Sequence, residues 1–188
     1  MCIPAVSTRI LLIGFLSCAV PLPAICGAES GFKVQVQRGE LLTIYGGCND
    51  CHTPKVMTPN GPEIDKTKLL SGHPSLANIP AALHGVLVPA KWGVYTSADM
   101  TAWRGPWGIS FAANLTPDDA TGLGRWTPEL FIKSMRTGKY IGGGRPLFPH
   151  MLWMNGYALS NEDLHALFAY LKSVKPVSNQ VLDPVQPK

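Results

Sequence analysis

The chain has 188 residues, of which 46% are hydrophobic and 15% charged, with a formal net charge of +4. That length suits one medium domain, the apolar share excludes disorder along the whole chain, and a charge so mild and dispersed gives no reason to expect nucleic acid. Nineteen Gly and seventeen Pro predict long loops, and no apolar run beyond the N-terminal segment reaches the roughly 18 residues of a membrane helix.

Residues 1–28 read as a secretory signal peptide. Arg9 supplies the positive region, Ile10 to Leu16 the short apolar core, and Cys26-Gly27-Ala28 a small-residue exit with cleavage expected after Ala28. An uncleaved anchor and a lipoprotein cysteine at Cys18 are the alternatives. Cleavage removes one basic residue and no acidic one, so the formal charge falls from +4 to +3. It also removes Cys2, Cys18 and Cys26, leaving Cys48 and Cys51. One closely spaced pair does not make a disulfide scaffold, even in an oxidising compartment.

Residues 29–37 lack periodicity and are expected to form an extended lead-in. Leu41, Ile44 and Tyr45 have i, i+3, i+4 spacing, which predicts a helix over 38–47 ending at Gly46-Gly47. That helix delivers the chain to Cys48-Asn49-Asp50-Cys51-His52, the C-x-x-C-H signature of covalent haem attachment. Two thiols at this spacing can each reach one vinyl group of a single porphyrin. The adjacent histidine then supplies an axial nitrogen to the iron. A redox-active disulfide, a zinc site and a structural disulfide are the competing readings. The first lacks a βαβ context and the second lacks further ligands at zinc-binding spacing.

From Pro54 to Trp126 helix signals are scarce. Prolines recur, interleaved with Trp92, Trp103 and Trp107, and only short helices around 66–71 and 75–85 are suggested. A flat porphyrin would give so long a loop an apolar surface to pack on. Thr127-Pro128-Glu129 starts a helix that carries Leu130, Phe131, Ser134 and Met135 on one face and stops at Gly138. Gly142-Gly143-Gly144 opens a loop without phosphate-binding spacing. Ser160 caps the last helix, whose apolar stripe is Leu164, Leu167, Phe168 and Leu171. The expected division is a leader at 1–28, one domain at 29–175 and an extended tail at 176–188.

With these motifs in place, the chain resembles a class I c-type cytochrome. The attachment motif and the closing helix around Leu167 to Leu171 carry the likeness. The blocks Asn114 to Asp118, Thr121 to Trp126, Met135 to Lys139 and Gly144 to Leu147 bring it close to one branch. That branch comprises bacterial periplasmic monohaem cytochromes and the cytochrome subunits of alcohol and aldehyde dehydrogenases. About residues 38–175 are covered. The resemblance implies a mostly α cytochrome c fold with few helices and long haem-wrapping loops. Its first and last helices would cross near the haem through Gly39 and Tyr45 on one side and Tyr170 and Leu171 on the other. Such subunits usually carry three haem domains, whereas this chain shows one motif, so one covalently attached haem c is expected.

The resemblance also implies the rest of the site. The iron ligands would be His52 and Met151, with Met154, His150 and His73 as alternatives for the second. Where the family usually has Met-Pro, this chain has Met151-Leu152, which frees the local backbone. Trp126 and Arg145 would donate to the haem propionates. The carbonyl of Pro62, with Pro59 second, would accept the proton of the proximal imidazole. The expected protein is a periplasmic electron carrier with no catalytic residues and no small-molecule substrate. Its partners would be a dehydrogenase or quinol oxidase and a terminal acceptor, with a membrane-associated complex as a further setting. The alternatives are a haem-based sensor with a labile sixth ligand and a cytochrome subunit of a dehydrogenase complex.

Overall fold

In a computed structural model of the chain, the described residues are 26–77, 93–147, 151, 156 and 158–186. Residues 1–25 of the expected leader, together with Trp92, His150, Leu152 and Met154, lie outside them, as does most of the segment 75–85. Four α-helices are present among the described residues: α1 (Cys26–Tyr45), α2 (Cys48–His52), α3 (Pro128–Thr137) and α4 (Asn161–Ser173). A hairpin of β1 (Lys55–Thr58) and β2 (Gly61–Ile64) follows α2. A second antiparallel sheet has the order β3 (Tyr95–Thr96), β4 (Ala102–Gly105), β5 (Gly108–Phe111). The mostly α expectation therefore holds for the helical frame but misses two small sheets. They occupy the Pro-rich stretch read as loop. Its strands are too short to show an alternating pattern, and β5 is buried at every position, so no period of two appears in the sequence.

Residues 29–37, expected to be extended, are helical and continue α1. The helix ends at Tyr45 as anticipated, and Gly47 in the left-handed region (φ 64°) turns the chain into α2. The face that α1 buries is not the one that spacing suggested. Gly39, Leu42 and Thr43 face inward, with Thr43 fully buried, whereas Leu41, Ile44 and Tyr45 are exposed, Tyr45 at 83%. The reason lies at Gly39. A Cβ there would fall 1.9 Å from the carbonyl oxygen of Ala166 and 2.7 Å from the Cβ of Tyr170. The missing side chain lets α1 and α4 touch backbone to backbone, and that contact sets the rotation of α1.

The remaining helices match their sequence signals. Thr127 Oγ1 accepts the N–H of Leu130 at 3.2 Å, Pro128 occupies the first turn, and Gly138 at φ 63° ends α3. Ser160 Oγ accepts the N–H of Asp163 at 3.0 Å and caps α4. Leu164, Leu167, Phe168 and Leu171 of α4 form the core with Phe131, Leu123 and Leu70. Arg136 on α3 holds the approach to α4 by donating to the carbonyl oxygens of Gly156 and Leu159 and to Asn161 Oδ1. Ser160→Ala should remove one satisfied helix-end donor and lower unfolding free energy by about 1 kcal/mol, read as a reduced urea midpoint at constant m-value.

The described residues after α4 carry no helix or named strand and hydrogen-bond back onto the body. Val177 N–H donates to Thr116 Oγ1 and its carbonyl accepts from Asn114 Nδ2. Val185 exchanges two backbone hydrogen bonds of 2.8 Å with Ile109 of β5. Residues beyond 175, expected to be an extended tail, are thus tied to β5 through Val185.

Candidate functional site

The site begins at the single turn of α2. Asn49 places its Oδ1 to accept from Thr53 Oγ1 (2.8 Å), and Thr53 Oγ1 in turn accepts the N–H of Leu70 (2.8 Å). The Lys55 ammonium donates to the carbonyl oxygens of Asn49, Asp50 and Thr53. A cation at the C-terminal end satisfies carbonyls that so short a helix leaves open. Cys48, Cys51 and His52 are thereby fixed on one turn.

Cys48 and Cys51 are partly buried, and neither is in a disulfide. Burial pushes the Cys48 thiol up to about 11 and raises that of Cys51 as well. Both are thus protonated at neutral pH, so the surroundings favour uncharged sulfur, the form it would keep in a thioether. Burial is also the largest influence on His52, lowering its pKa, with the hydrogen bond to Ala113 opposing it. The ring is held neutral, the form that can bind a metal.

The acceptor for His52 differs from the one expected. Nδ1 lies 2.7 Å from the carbonyl oxygen of Ala113. Pro62 sits on β2 in register with Met57, so the Gly61-Pro62 pair forms a hairpin rather than the ligand's support. The acceptor comes from residue 113 because the turn from Leu70 to His73 draws the two segments together. Gly72 N–H donates to His52 O (2.8 Å), His73 N–H to Ala112 O (2.9 Å), and Leu115 N–H to Leu70 O (2.8 Å). Gly72 is at φ 80°, and a Cβ there would lie 2.5 Å from Ala112 O and 2.7 Å from Ala113 O. The acceptor carbonyl is thus packed directly on a glycine.

With Nδ1 engaged, Nε2 is the nitrogen left for iron. His52 opens on a cavity also lined by Phe131, Met135, Trp126, Arg145 and Met151. Three of the expected residues, Met151, Trp126 and Arg145, are therefore brought to the same space as His52. Tyr140 links two of them. Its ring meets Trp126 edge-on at 5.5 Å, and the Arg145 guanidinium lies 5.3 Å above it. Met135, read as core, lines the cavity as well. His73 is not at this site. Its Nδ1 is 2.7 Å from Thr101 Oγ1, and Thr101 donates to Asp99 Oδ2.

The residues fit a c-type haem. Two free thiols, a neutral imidazole with its rear nitrogen anchored and a thioether are the donor set such a group requires, and they meet at a cavity that Leu123, Phe131 and Met135 help to line. Among the described residues no group of three or more His, Cys, Asp or Glu gathers as a cation site would. Among them, too, no helix is long and apolar enough to cross a membrane. Sequence reasoning missed Ala113, Gly72, which packs on its carbonyl, and the tail residues Gln180 to Asp183, which with Ala113 line the same cavity. The first two act through backbone atoms, and the tail carries no recognisable pattern.

No protein-family model matches the chain. Several curated proteins do. One subunit of a nicotinate dehydrogenase from Pseudomonas putida is 37% identical over 174 residues, covering 89% of this chain and 12% of that protein. The cytochrome c subunit of a gluconate 2-dehydrogenase from Pantoea cypripedii is 28% identical over 76% of this chain and 24% of its own length. That of a quinone-dependent alcohol dehydrogenase from Gluconobacter oxydans is 26% identical over 88% and 28%. The chain thus spans between about an eighth and a little over a quarter of these relatives. It resembles a c-type cytochrome of the kind found in dehydrogenase cytochrome subunits.

Proposed function

We propose that this chain is an exported monohaem c-type cytochrome that passes single electrons from a dehydrogenase toward a terminal acceptor. The observation that carries this reading is His52. It closes a C-x-x-C-H turn, is neutral, has Nδ1 committed to Ala113 O at 2.7 Å, and shares its cavity with Met151. The dehydrogenase cytochrome subunits among its relatives support an oxidoreductase partner over a sensor role. Export rests on the leader-like segment at 1–28.

A bound haem supplies one-electron exchange at its iron. Cys48 and Cys51 would hold it by thioethers, and His52 and Met151 would be the protein ligands of its iron. A thioether ligand favours the ferrous state and so raises the potential. Phe131 and Met135 on the cavity wall would limit the approach of water to the iron. Trp126 and Arg145 are suited to meet the propionates, through an indole N–H and a planar guanidinium.

Optical spectra of the purified holoprotein test this. A red-region sulfur-to-iron band in the ferric form, and ferrous spectra unchanged by carbon monoxide, are expected. Met151→Ala should erase the band and open the iron to carbon monoxide. Persistence of the band in that variant would rule out Met151 as ligand. Ready carbon monoxide binding by the unsubstituted protein would favour a sensor.

A further inference from the structure

We propose that the C-terminal tail is a working part of the haem site, with Asn179 as the positioning residue for the proximal ligand His52. This rests on the haem reading above and extends it to a residue outside the cytochrome-like region of the sequence.

The support of His52 runs through a strained turn. Leu70 is fully buried yet adopts φ 57°, and Gly72 follows at φ 80°. A non-glycine residue in the left-handed region costs about 1 kcal/mol and persists only where its surroundings hold it. This turn joins the two ends of the Nδ1 hydrogen bond, since Gly72 N–H fixes the His52 carbonyl and His73 N–H fixes Ala112, next to the acceptor Ala113. A shift of the turn would move the acceptor relative to the imidazole.

Asn179 holds that turn from outside. Its Nδ2 donates to Ser71 O (2.7 Å) and His73 O (2.9 Å), the carbonyls on either side of Gly72. Its Oδ1 accepts the N–H of Ser75 (3.0 Å). Its own N–H donates to Thr121 Oγ1 (3.0 Å), which also accepts from Asn114 Nδ2. One side chain thus grips both flanks of Gly72, while its backbone ties through Thr121 to Asn114, the neighbour of Ala113. The next four residues, Gln180 to Asp183, line the cavity that His52 faces. The tail therefore does two things at one place: it walls the cavity and braces the support of the ligand.

A proximal imidazole that donates firmly through Nδ1 is a more basic ligand and favours the ferric state. Releasing the brace weakens that donation and raises the reduction potential. Asn179→Ala removes the clamp, and Asn179→Leu removes it while keeping the volume. Both are to be prepared as full-length holoprotein. The expected results are one covalent haem per chain by the alkaline pyridine spectrum and faster solvent exchange of the His52 Nδ1–H by NMR. The ferrous–ferric equilibrium should shift about threefold toward ferrous, or roughly 28 mV at 59 mV per tenfold for one electron. Ser160→Ala should lose stability without moving the potential, which separates positioning from general weakening. Haem-loaded variants with unchanged potential and exchange would overturn the inference and leave the haem reading intact. A wild-type chain without covalent haem would instead remove the reading on which it rests. In the unsubstituted holoprotein the Asn179 side-chain amide protons should be protected alongside the His52 Nδ1–H. Free exchange of the former beside a protected latter would overturn the inference without any variant.

Discussion

Replacing both Cys48 and Cys51 with Ala is expected to abolish covalently held haem, whereas His52→Ala should keep the covalent haem and lose its low-spin spectrum. The contrast follows from the division of labour on α2. The two thiols are free and partly buried on one turn, and each contributes a bond that survives denaturation. His52 contributes coordination only. Its Nδ1 is occupied by Ala113, so loss of the ring removes the Nε2 donor without touching the thioethers. Haem staining after denaturing electrophoresis reads the first effect, and absorption spectra of the ferric and ferrous protein read the second. Stain retained by the double-cysteine variant would refute attachment at this turn. Single replacements at Cys48 or Cys51 should give intermediate stain, because one thioether remains.

Gly39→Val should cost about 3 kcal/mol or more of folding stability, near the upper end for overpacking at a well-packed contact. The added Cβ alone would sit 1.9 Å from Ala166 O and 2.6 Å from Ala166 C. These are backbone atoms of α4, which cannot rotate away as a side chain would. Relief requires α1 and α4 to separate. Such a separation would expose Leu42 and Thr43 and loosen the core around Leu164, Leu167 and Leu171. Gly31→Ala in the same helix is the natural control. Nothing lies within 4 Å of a Cβ there, so the better helix former should add up to about 1 kcal/mol. Urea unfolding of both variants decides the matter. A Gly39→Val protein as stable as the parent would show that the helices do not cross at this residue.

The exposed stripe Leu41, Ile44 and Tyr45 shows how spacing misleads when backbone contact overrides it. All three have the periodicity of a buried face. A glycine at 39 makes a closer and denser contact on another face, and α1 rotates to use it. The strands fail to announce themselves for a related reason. Strands of two to four residues are too short to carry a visible alternation, and β5 is buried at every position.

The chemistry and the punctuation of this protein are written in the chain itself. The C-x-x-C-H turn, the caps at Thr127 and Ser160, the stop at Gly138 and the stripe of α4 are local. Each depends on residues within a few positions of one another, where covalent reach and backbone hydrogen bonding dictate the outcome. The support of His52 is settled only by folding. The acceptor is a backbone carbonyl 61 positions away, and every residue presents such a group. Its selection depends on a left-handed turn at Leu70 to Gly72, on a glycine small enough to lie against Ala113, and on an asparagine in the tail. Backbone carbonyls carry no sequence signature, so their partners emerge only once distant segments are packed together.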